Sequence, residues 1–167
     1  VSEIKTLFAE TFIENIQRTL ARCDVDDETI QNFKQLTDDI NKKYMDGSVT
    51  DEEFCALLEQ GFVEQVISCK SKELEANDVS MEYIAIFAKS VKKLVNNYTD
   101  KSKLYSSFFG DVNKICRQTE QDYSASIMTE SERTASAETY ITYYKMSDFE
   151  YRPNGEYEVF EQYALEA

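Results

Sequence analysis

Apolar residues recur at helical spacing along most of the chain. From residue 3 to residue 22, Ile4, Leu7, Phe8, Phe12, Ile13, Ile16 and Leu20 trace one stripe at intervals of three and four. That pattern predicts an amphipathic helix, with Ser2 as its N-cap. The stretch from Asp24 to Ile30, DVDDETI, offers several N-cap candidates followed by acids, which the positive end of a helix dipole favours. Ile30, Phe33, Leu36, Ile40 and Tyr44 then predict a second helix ending near Met45.

A third helix is expected through Phe54, Leu57, Leu58, Phe62, Val63, Val66 and Ile67. Its apolar stripe is wide, so it is placed at the centre of the fold. Gly61 inside it costs up to about 1 kcal/mol relative to Ala, and marks a close helix contact or a kink. A polar stretch, KSKELEAND, follows it. Ser80 is read as the cap of a fourth helix through Tyr83, Ile84, Phe87, Val91, Leu94 and Val95. Lys101 to Arg117 is read as a fifth, with Leu104, Phe108, Val112 and Ile115 on its apolar side. Short connections between such helices predict a bundle occupying residues 1–119. No internal repeat is visible.

The pattern changes after residue 119. Residues 120–138 are polar, with Ile127 and Met128 the sizeable aliphatics, and read as an extension of the fifth helix, another polar helix or a linker. Residues 139–167 are rich in tyrosine. There, Phe149, Tyr151, Tyr157 and Val159 alternate around Arg152-Pro153-Asn154-Gly155, which suits a β-hairpin closed by a type I turn with a bulge. Two strands alone are marginal in water, so the hairpin is expected to pack on the bundle within a single domain. The expected class is therefore mainly α: about five amphipathic helices with a C-terminal β-hairpin.

Composition supports that picture. The chain has 167 residues, of which 42% are apolar, enough for one domain with a core. One proline and four glycines favour long helices. No stretch approaches the roughly 18 apolar residues of a membrane span.

Charge narrows the function classes. With 32 acidic and 18 basic residues the net charge is −14, which argues against nucleic acid and anionic membrane surfaces as partners. A protein partner of basic character fits instead. Residues 119–167 carry 11 acids and three bases, a net −8. Six of the eleven tyrosines lie between residues 140 and 163. Tyrosine gives contact area at small entropy cost, and acidic neighbours steer a basic partner. The interaction candidates are Tyr140, Tyr143, Phe149, Tyr151, Tyr157 and Phe160.

Histidine is absent, which removes Ser-His and Cys-His nucleophile systems. The four cysteines, Cys23, Cys55, Cys69 and Cys116, form no C-x-x-C pair, so no zinc site is expected. Cys55 and Cys69 share a helix and stand roughly 21 Å apart, too far to bridge. They read as small buried hydrophobes in a reducing compartment, and the cytoplasm is favoured over export. The sequon Asn97-Tyr98-Thr99 is the countervailing sign. The first residue is Val1, which leaves room for a targeting segment removed before it.

One stretch looks like a metal site. Asp46, Gly47 and Glu53 match positions five, six and twelve of a calcium-binding EF-hand loop. Lys42 and Tyr44 then fall at positions one and three, where the ion needs oxygen ligands. A helix end at Asp46-Gly47, followed by a Thr50–Glu53 capping box, accounts for the same letters, and no metal or other cofactor is expected.

The functional expectation is a non-enzymatic interaction module, such as an adaptor, inhibitor or regulatory subunit, presenting an acidic, tyrosine-rich surface. One alternative is an acidic nucleic-acid mimic or immunity-type inhibitor of a basic protein. Another is a bundle with a small-molecule pocket lined by Phe, Tyr and Cys.

Overall fold

The computed structural model describes residues 2–128, which form six α-helices and no strand. They are α1 (Glu3–Arg22), α2 (Asp27–Met45), α3 (Asp51–Ala76), α4 (Met81–Asn97), α5 (Ser102–Ser106) and α6 (Phe108–Ser126). The chain divides after Tyr123 into two units, and the unit Val1–Tyr123 holds the helical core. The expected hairpin, with Tyr140, Tyr143, Phe149, Tyr151, Tyr157 and Phe160, lies outside the described residues.

Side chains at the helix starts satisfy N–H groups that have no partner within a helix. Ser2 Oγ accepts the Lys5 N–H at 3.0 Å, and Asp26 Oδ1 accepts that of Thr29 at 2.9 Å. Thr50 and Glu53 close a reciprocal capping box at the start of α3. Ser80 stands at the N-cap of α4 but its side chain makes no capping hydrogen bond. The expected Ser80 cap is thus one of position and not of bonding.

The long helix α3 organises the bundle. It packs on α1, α2 and α4. Buried residues on more than one of its faces, such as Leu58, Phe62, Val63 and Val66, match its expected central place. Gly61 marks a close approach to α2, since a Cβ there would collide with Leu36 Cδ2. The ring of Phe108 lies 5.6 Å from that of Phe62 and brings α6 against α3. Tyr83 and Tyr123 meet edge-on at 5.4 Å between α4 and α6.

Two boundaries differ from the sequence reading. KSKELEAND lies almost wholly inside α3, which runs to Ala76 and buries Lys70 and Leu74. Its charged letters hide the continuing stripe because Lys70 is itself an inward residue. Just past the C-cap Asn77, Asp78 has a φ of 64° in the left-handed region, and the Val79 N–H reaches back to the Leu74 carbonyl at 3.0 Å. The helix expected over Lys101–Arg117 is two helices, α5 and α6, broken at Ser107. Ser106 Oγ donates to the Ser102 carbonyl at 3.1 Å, and adjacent serines with such local bonds are a common cause of a kink. The last helix, α6, runs on to Ser126, so the start of the polar stretch after residue 119 extends it.

Candidate functional site: an open aromatic end and a charged groove

The first two turns of α1 depart from their expected role as core. Ile4 is 82% exposed, Leu7 65% and Phe8 41%. Farther along the same helix Ala9, Ile16 and Leu20 are buried. The stripe fixes which side of a helix is apolar, but not how far its neighbours extend along it. Leu7 also lies on an acidic row, with Glu3, Glu10 and Glu14 at helical spacing from it. That row was the sequence signal that Leu7 faces solvent.

Beside Ile4 and Phe8 the end of α2 and the start of α3 supply an aromatic floor. Tyr44 and Phe54 stack with ring centroids 4.2 Å apart. Phe8 lies 6.4 Å from Tyr44 and 6.3 Å from Phe54, and Phe12 lies 6.0 Å from Phe54. Lys5 Nζ stands 4.4 Å above the Tyr44 ring. The Tyr44 hydroxyl donates to Asp51 Oδ1 at 2.6 Å. Burial, then the Asp51 carboxylate, push the Tyr44 phenol up to about 12, so it stays neutral. A shallow groove of about 380 Å³ opens between Ile4, Phe8, Tyr44 and Asp51.

The turn joining α2 to α3 borders this end, and its oxygens are already engaged. Asp46 Oδ1 accepts from the Ser48 N–H at 2.8 Å and from the Ser48 hydroxyl. Those bonds hold the Asp46 carboxyl below its usual range. Gly47 takes a φ of +84°, and the Ser48 N–H closes on the Lys43 carbonyl at 2.9 Å. Glu53 Oε1 accepts from the Thr50 N–H at 3.3 Å. The EF-hand-like residues Asp46, Gly47 and Glu53 thus sit in a helix C-cap and a capping box. No cluster of three metal-ligating side chains occurs among the described residues.

A second concavity, of about 480 Å³, opens between α3 and α4. Only Tyr98 in its lining is of the Phe, Tyr or Cys types expected for a pocket. Its phenol donates to Asp111 Oδ2 at 2.8 Å, and burial, then that carboxylate, raise its pKa.

The cysteines are free thiols, with Cys23, Cys69 and Cys116 buried and Cys55 half-buried. Burial pushes the Cys23 thiol up to about 11 against the opposing charge of Lys70. Burial also raises Cys55 and Cys116. Such thiols stay protonated, which disfavours nucleophilic use. No described helix is long and apolar enough to cross a membrane. The chain matches no family model, no curated protein and no solved structure.

Proposed function

We propose that the protein is a non-enzymatic interaction module that docks a basic, amphipathic segment of another protein on the open end of α1. One observation carries this reading: Ile4, Leu7 and Phe8 are exposed within the first two turns of α1, Ile4 and Phe8 bordering an aromatic floor, while Ala9, Ile16 and Leu20 farther along are buried. Clustered apolar residues with a polar rim are a common form of protein contact surface. Glu3 and Glu10, which make no ion pair among the described residues, supply an acidic rim. The overall charge of −14 adds long-range attraction for a basic partner. Leu7 and Phe8 would receive the partner's apolar face, and the acids its lysines or arginines. The acidic segment 139–167 is a further proposed contact, resting on its composition alone.

Fluorescence anisotropy with a labelled helical peptide of alternating Leu and Lys faces tests the reading. The full chain is expected to bind it, and a Leu/Glu peptide of the same length is not. The double variant Ile4→Ser, Leu7→Ser should weaken binding by at least about tenfold, the loss of roughly one well-packed apolar contact. Equal binding by wild type and variant would remove α1 as the docking surface.

A further inference from the structure

The groove between α3 and α4 has a charge arrangement that the docking reading does not use. Its volume, about 480 Å³, is ample for a small organic ligand. Val63, Val95 and Leu104 give it an apolar surface. Glu59 and Glu64 line it from α3. Lys92 on α4 and Lys101, the N-cap residue of α5, also line it.

These opposite charges share one groove and do not neutralise one another. No ion pair joins either glutamate to either lysine among the described residues. Glu64 accepts one long hydrogen bond, 3.4 Å from Gln60 Nε2. Glu59 faces the Tyr105 phenol, whose pKa is raised by burial and then by that carboxylate. A carboxylate offers about four acceptor positions, so both acids keep capacity. The Lys92 and Lys101 ammonium groups make no hydrogen bond among the described residues, nor does the Asn96 amide beside them.

We propose that this groove binds a small zwitterion with an apolar body, of the class of a short apolar peptide. Its ammonium meets Glu59 and Glu64, its carboxylate meets Lys92, Lys101 and Asn96, and its side chains cover Val63, Val95 and Leu104. A simple anion would leave both acids facing it in a protein of net charge −14. A simple cation would face two lysines. A zwitterion satisfies both charge types, and charge-assisted hydrogen bonds are the stronger kind. The site shares no residue with the open end of α1, so either proposal stands if the other fails.

The test is an NMR titration of the full chain with three forms of one dipeptide: Leu-Leu, its N-acetyl derivative and its C-terminal amide. Leu-Leu is expected to shift the Val63, Val95 and Leu104 methyl signals saturably. Each blocked form, lacking one charge, should bind about tenfold more weakly. Lys92→Gln with Lys101→Gln should weaken Leu-Leu and leave the amide form unchanged. Both lysines are exposed, so the variant should fold, and its amide spectrum checks that. The proposal fails if Leu-Leu produces no saturable shift. It also fails if either blocked form binds as tightly as Leu-Leu, which would make this a simple anion or cation site.

Discussion

The ammonium of Lys70 lies 3.3 Å from the backbone carbonyl of Asp24, tying the middle of the sequence to the α1–α2 connection. The side chain is only 5% exposed. It also donates to Glu73 Oε2 at 3.3 Å and lies 5.1 Å above the Phe109 ring. One lysine thus joins α3, the α1–α2 loop and α6. Glu73 is 48% exposed and keeps its own hydration if Lys70 is lost. Lys70→Ala should therefore destabilise by about 2 kcal/mol, less than the 3–5 kcal/mol for breaking a fully buried pair. Lys70→Met keeps the apolar stem and should cost less than about 1 kcal/mol. Urea denaturation of both variants checks the order.

Gly61 and Leu36 meet where α3 approaches α2 closely. Two effects oppose each other in Gly61→Ala. Helix propensity gains up to about 1 kcal/mol, and overpacking against Leu36 costs about 1–3 kcal/mol. Because the obstructing atom is a terminal methyl, the net loss should stay near 1 kcal/mol. In a Leu36→Ala background the same substitution should stabilise, since the obstruction is gone. A double-mutant cycle gives the answer directly, and additivity of the two changes would contradict the close contact.

The turn before α3 should be indifferent to calcium. Asp46 and Glu53 already hold Ser48 and Thr50, and Lys42 stands where a ligand would be needed. Millimolar calcium should leave the melting temperature where an equal concentration of magnesium leaves it. Thr50→Ala, by contrast, should cost about 1 kcal/mol by removing the N-cap. A calcium-specific rise of several degrees would overturn the capping account.

Stability should fall at both ends of the pH scale. Hydrogen bonds from Thr29 hold the Asp26 carboxyl below 3.8, and Ser48 and Ser102 do the same for Asp46 and Asp100. A depressed carboxyl stabilises the fold above its unfolded pKa, and that contribution is lost as pH falls through the folded value. Tyr44 is the opposite case, raised from 10.0 to about 12. Its neutral form is preferred in the fold, so its contribution is full below pH 10.0 and is lost between there and about 12. Tyr44→Phe removes that titration and should lessen the alkaline loss, the remainder of which Tyr98, Tyr105 and Cys23, also raised by burial, carry in the same direction. Thermal unfolding monitored across pH tests both limbs.

Local signals made much of the bundle legible. Ser2, Asp26 and Thr50 each cap the helix that follows, because capping depends on residues three positions apart. The central place of α3 followed from the width of its apolar stripe. Lys70 and Ser107 were misread for different reasons. A buried lysine is recognised only through partners distant in sequence, here Asp24 and Phe109. The break at Ser107 leaves Leu104 and Phe108 buried at helical spacing, so the apolar pattern does not record it. The α3–α4 groove was hidden because Glu59 and Lys92 come together only through helix packing.

The most direct test of the docking account is an amide chemical-shift titration of the isotope-labelled full chain with the Leu/Lys helical peptide. The account predicts saturable shifts centred on Ile4, Leu7 and Phe8, spreading to Tyr44 and Phe54, and weakening as salt screens the acidic rim. Saturable shifts confined to other residues, or none at all, would contradict it.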